Sequence, residues 1–271
     1  MELSPIAEES FNELLVFLRF FRHFGTPIII GGWAVYFYNP FQGSNDIDVI
    51  GPSLRGQFSE TITQFKMTYG YTPRPLDVNS PTDLGLEYSL SKKIVRDGVE
   101  IGEMEIDGCS YESCYKGFHE DNSKELPYSL CEGENCRQLV TIDKDCKCYV
   151  PSKALLTLFK TKALRDREHD LRTKSEELDS RSTEWLRTKI AKDKVDIISL
   201  FDPFPEGHVV SDKINPQQLL DICEKQGITD LVRQSLTDLV DDSPAQDSYK
   251  LGTDSRTLKE WMGSLGSPFL S

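Results

Sequence analysis

Five residues most constrain this chain: Ile28-Ile29-Ile30-Gly31-Gly32. An apolar triplet too short for a helix turn pattern reads as a buried strand. Two glycines directly after it allow backbone conformations closed to other residues, and they leave the backbone open to close approach. Trp33-Ala34-Val35 and the residues up to Tyr38 then read as a short helix, stopped at Asn39-Pro40. A strand, a glycine turn and a helix start bring unpaired backbone N–H groups to one point, where an anion is favoured. A second run follows at once. Ser44-Asn45-Asp46-Ile47-Asp48-Val49-Ile50 alternates acids with aliphatic residues. As a strand it turns Asp46 and Asp48 to one face and Ile47 and Val49 into a core.

The remaining pattern supplies what packs around these two strands. Ser4-Pro5 caps a helix that runs on apolar residues at three- and four-residue spacing to Gly25. A helix is expected over 54–69, after Gly51-Pro52. Strands are expected over 86–95 and 99–106, with Asp97-Gly98 as the hairpin turn. Residues 108–148 show little periodicity and read as an elaborated loop with short strands. From 153 onward the pattern is helical. Helices are expected over 153–167, 185–201, 216–226 and 229–239, with a short one over 258–262. This predicts an α+β fold: a mixed sheet with flanking helices over residues 1–150, cysteine-rich at about 108–148, and a helical region over 151–271.

Six of the seven cysteines lie in that cysteine-rich segment: Cys109, Cys114, Cys131, Cys136, Cys146 and Cys148. The pairs Cys109/Cys114 and Cys131/Cys136 have the spacing of zinc ligands. The same spacing suits disulfides or unpaired thiols, and all three readings stand at this stage. His119 is a further candidate ligand there.

The acids and glycines together point to chemistry on phosphates. Asp46 and Asp48 are expected to hold Mg²⁺ or Mn²⁺, and Gly31 and Gly32 to meet the phosphates of a nucleotide. Ser44 is a further candidate for the nucleotide. A third carboxylate is expected from a neighbouring strand, where Glu103, Glu105 and Asp107 share one face. Glu105 is the first choice, then Asp107, then Glu103. Against 31 basic and 44 acidic residues, the segments around 153–167 and 181–194 form a local basic region. Lys160 and Lys192 are its candidates for binding a triphosphate or an RNA backbone; a solvated, ion-paired helix face explains the same residues.

Gly31-Gly32, thirteen further residues, then Asp46-Ile47-Asp48 resembles the signature of the DNA polymerase β-like nucleotidyltransferase superfamily. Residues from Val150-Pro151-Ser152-Lys153 to Lys162, and Lys192-Asp193-Lys194-Val195-Asp196-Ile197, are similar to the minimal and abortive-infection-type prokaryotic nucleotidyltransferases. The resemblance spans about residues 25–202. It implies a two-metal transfer of a nucleoside monophosphate from an NTP, such as ATP, to an acceptor RNA such as tRNA or to a protein. It also implies an antitoxin-like partner. A small-molecule acceptor, and a member that binds nucleotide or a partner without turnover, are the alternatives. Two features depart from the pattern: Gly32 stands where many relatives carry serine, and the cysteine-rich segment has no counterpart.

Charge and hydropathy exclude other classes. The net charge of −13 speaks against a generally basic nucleic-acid coat. Nothing reaches the length of a membrane span, and the N-terminal residues lack a secretory pattern, so a cytoplasmic protein is expected.

Overall fold

The computed structural model describes residues 3–51, 57–76, 85–111, 113–249, 255–266 and 269. The chain forms two compact units, each built from separated pieces. The first takes Met1–Tyr115, Pro127–Pro151 and Gly207–Val210; the second takes Lys116–Leu126, Ser152–Glu206 and Ser211–Ser271.

The first unit is a mixed seven-stranded sheet with helices against it. Its elements are α1 (Pro5–Phe21), β1 (Ile28–Ile30), α2 (Gly31–Tyr38), β2 (Ile47–Ile50), α3 (Gln57–Tyr69), β3 (Thr72–Pro73), β4 (Tyr88–Arg96), β5 (Val99–Cys109), β6 (Arg137–Asp143) and β7 (Cys146–Pro151). The strand order is β3-β4-β5-β2-β1-β7-β6. Two neighbouring pairs are parallel, β2 with β5 and β1 with β7; the others are antiparallel. This is the α+β class expected from the sequence.

Local chemistry explains the elements. Ser4 Oγ accepts from the Ala7 N–H at 3.3 Å and Pro5 opens α1. Leu14, Phe17, Leu18 and Phe21 bury its apolar stripe. Phe65 of α3 is fully buried, with ring centroids 5.4 Å from Phe17 and 5.2 Å from Phe20. The β4–β5 turn has positive φ at both Asp97 and Gly98, the backbone a two-residue hairpin requires. Trp33 is fully buried and donates from its indole N–H to Ser10 Oγ at 3.1 Å. The Tyr38 hydroxyl donates to the Pro151 carbonyl at 2.8 Å. These two bonds tie α2 to α1 and β7. The end of α2 is closed from far along the chain: the N–H groups of Val209 and Val210 both donate to the Phe37 carbonyl at 2.9 Å.

Several bounds differ from the sequence reading. The helix after the strand starts at Gly31, so both glycines form its first turn. The acidic strand starts at Ile47, leaving Asp46 in the bend before it. β5 runs on to Cys109 and takes in Asp107. Residues 52 and 54–56 of the expected turn and helix lie outside the described residues. The main correction concerns residues 137–151. They are two strands of the principal sheet, and β7 lies beside β1. Cys146, Cys148 and Val150 are buried while Lys147 is exposed, so cysteine fills the apolar positions of a strand alternation. Cys109 and Cys114 form a disulfide with Cα atoms 5.6 Å apart, and Cys131, Cys136, Cys146, Cys148 and Cys223 are not disulfide-bonded.

The second unit is helical: α4 (Lys153–Thr173), α5 (Ser180–Phe201), α6 (Pro216–Gln226), α7 (Thr229–Val240), α8 (Ser243–Ser248) and α9 (Ser255–Met262). No described helix is long and apolar enough to cross a membrane. Charges line the α4–α5 contact. Lys160 Nζ lies 2.7 Å from Asp196 and 3.3 Å from Asp193, and all three side chains are buried. Lys192 is 2.9 Å from the same Asp196, and Arg167 pairs with Asp193. Burial alone would push the Lys160 ammonium down, but Asp196 and Asp193 outweigh it and hold it above its ordinary range. The segment Lys116–Leu126 is pinned to α4: the His119 N–H donates to Asp166 at 2.9 Å, its Nδ1 lies 3.0 Å from Asp170, and Glu120 pairs with Arg165.

Removing one member of a buried ion network leaves the others uncompensated. Lys160→Met is expected to cost about 3–5 kcal/mol, read as a lower urea midpoint at pH 7.

Candidate active site

The sheet register brings two acids face to face. β2 runs parallel to β5 with Ile47 opposite Ile106, Asp48 opposite Asp107 and Val49 opposite Gly108. Ile47 and Ile106 are fully buried on one face, so Asp48 and Asp107 project together from the other. On its second side Asp48 lies opposite Ile30, the residue before the glycines. Gly31 has φ +65°, and a Cβ built there would overlap the Asp48 carboxylate. The glycine is therefore required twice, for its left-handed backbone and for the space the carboxylate occupies. Ile30 at the N-cap of α2 makes no side-chain capping bond.

The acids are unequal. Burial pushes the Asp107 carboxyl up from 3.8 to about 7; a hydrogen bond from Ser89 opposes this, the negative charges of Asp48 and Glu105 add to it, and Arg74 opposes it. Its Oδ1 is buried without a hydrogen-bond partner among the described residues. Glu105 is engaged differently: its Oε1 lies 3.0 Å from Arg74 Nε. Glu103 is exposed and opposite Lys93 on β4. The Asp46 N–H donates to Ser44 Oγ at 3.4 Å, so Ser44 shapes the bend that presents Asp46. Lys160 and Lys192 belong to the helical unit, in the ion pairs described above.

Two participants carry no sequence signal. Arg74 follows the two-residue β3, between prolines. Ser89 is the cross-strand partner of Asp107 on β4. Neither belongs to a motif, and only the sheet brings them to the acids. Gly108 leaves the space that the Tyr88 ring fills, which packs β4 tightly on β5 beside Asp107.

The donor set fits a hard divalent cation. Carboxylate oxygens are the ligands Mg²⁺ and Mn²⁺ favour, and Asp107 offers a buried oxygen with no hydrogen bond to lose. Among the described residues no three His, Cys, Asp or Glu side chains close on a common point.

No protein-family profile matches the chain, and no curated protein matches it. Among solved structures the likeness is to a nucleotidyltransferase-like protein. That structure is an antigenic nucleotidyltransferase-like protein from Paracoccidioides brasiliensis, 15% identical, with 91% of this chain and 93% of that chain covered and a TM-score of 0.46.

Two outcomes follow from this geometry. The folded protein holds a proton on Asp107 that the unfolded chain has lost between pH 4 and 7, so this residue's contribution to stability falls as pH rises through that window. Asp107→Asn in chelator should raise the melting temperature at pH 8, by on the order of 1–3 kcal/mol of stability, and change little at pH 4. Gly31→Ala should destabilise by about 1–3 kcal/mol and weaken Mn²⁺ binding, measured by thermal unfolding and by titration of the free Mn²⁺ signal.

Proposed function

We propose that this chain is a divalent-metal-dependent nucleotidyltransferase that moves a nucleoside monophosphate from an NTP to an acceptor hydroxyl or phosphate. The observation that carries the reading is the register of Asp48 against Asp107, with Gly31 seated on the Asp48 carboxylate at the start of α2. Asp46, Asp48 and Asp107 would hold Mg²⁺ or Mn²⁺, which when bound offsets the negative charge on the phosphate oxygens. The first N–H groups of α2 are donors for those oxygens. Gly31 and Gly32 keep side chains out of their path.

In the proposed step an acceptor oxygen attacks the α-phosphorus and its proton passes to solvent, because a carboxylate that holds a divalent cation is a poor base. The bond to the β-phosphate oxygen breaks, and pyrophosphate leaves. Glu105, expected from the sequence as the third metal ligand, is assigned here to Arg74, because a carboxylate 3.0 Å from a guanidinium already has a cation.

The test is transfer of label from each α-labelled NTP, with Mg²⁺, to total RNA, cell protein or a small-molecule panel. Label should reach one acceptor class and fall about 100-fold or more in Asp46→Asn/Asp48→Asn. Transfer unchanged in that variant, or no transfer to any acceptor, would overturn the reading.

A further inference from the structure

The acid edge has a cation built into it. The Arg74 N–H donates to the Ser89 carbonyl at 2.9 Å, which fixes its backbone on β4. Its Nε lies 2.9 Å from Ser89 Oγ and 3.0 Å from Glu105 Oε1. Its Nη2 reaches Asp107 Oδ1 only at 3.7 Å, an ion pair too long for a hydrogen bond. The guanidinium is thus held firmly from the β4 and Glu105 side and touches Asp107 loosely. A planar guanidinium presents its donors in a rigid fork that can serve Ser89, Glu105 and Asp107 together, a geometry a compact ammonium lacks.

We propose that Arg74 is a positioning residue: a resident counter-ion, anchored by Glu105, that steadies the Asp48–Asp107 pair in the metal-free protein and cedes Asp107 when a divalent cation binds. This rests on the reading above that the acids hold metal, and it deepens that reading by giving Glu105 a role through Arg74. Two consequences separate it from other roles. Arg74 competes with the metal, so its loss should tighten metal binding. Glu105 matters to the metal chiefly through Arg74, so its loss should be nearly silent once Arg74 is gone.

The experiment is Mn²⁺ titration of the full chain, read from the electron paramagnetic resonance signal of free Mn²⁺, with melting temperatures in chelator and in saturating Mn²⁺. Arg74→Gln should bind Mn²⁺ about fivefold more tightly than the unmodified chain, and Arg74→Lys should lie between the two. Arg74→Gln should melt lower than the unmodified chain in chelator, and the gap should narrow in Mn²⁺. Adding Glu105→Gln to Arg74→Gln should change affinity less than about twofold. Unchanged or weaker binding in Arg74→Gln overturns the proposal; weaker binding with a raised KM for NTP would make Arg74 a phosphate ligand instead. A tenfold or greater loss in the double variant would make Glu105 a metal ligand and equally overturn it. Asp48→Asn/Asp107→Asn is the separate control. If that variant still binds Mn²⁺ normally, the metal reading itself fails, whatever Arg74 does.

Discussion

Two carboxylates held opposite each other on neighbouring parallel strands repel, and the molecule keeps them there. The register of β2 on β5 is set by the other face of the same strands, where Ile47 and Ile106 are fully buried. A slip by one residue would turn those side chains to solvent, so core burial fixes the position of Asp48 against Asp107. The repulsion is partly relieved by the long contact to Arg74 and by the raised carboxyl of Asp107, which carries a proton below about pH 7. Core burial sets the strand pairing, and the glycine and the arginine accommodate the two acids it brings together.

The sequence made the first half of this site legible because its motif is local. An apolar triplet, two glycines and alternating acids occupy about twenty residues, and each carries its own backbone preference. Which acid of β5 lies opposite Asp48 was not legible for a definite reason. Strand periodicity puts Glu103, Glu105 and Asp107 on one face alike, and only strand order and register separate them. β5 lies beside β2, in a register that sets Asp107 against Asp48. Arg74 and Ser89 escaped for the same reason, since their proximity is a property of the sheet.

The β6–β7 hairpin was read only as short strands in an elaborated loop, because of residue type. Cys146 and Cys148 alternate with Lys147 as Val or Ile would, but cysteine in such numbers suggests ligands or disulfides before it suggests a strand. Along the helical unit the opposite held: length and periodicity marked α4 and α5 plainly, while the pairing of their charges required the fold. Lys160 reads from sequence as a candidate for a triphosphate, and in the structure it lies between Asp193 and Asp196.

The closing of α2 by Val209 and Val210 bears on how the protein is made. The helix that carries the glycine turn leaves the ribosome long before the segment that donates to its Phe37 carbonyl. The strand beside β1, β7, also follows more than a hundred residues after it. Until those segments are made, the nascent chain holds unfinished strand and helix groups, a state in which exposed apolar surface is open to wrong partners. A chaperone that shields growing chains would meet this one with the edge of acids still incomplete.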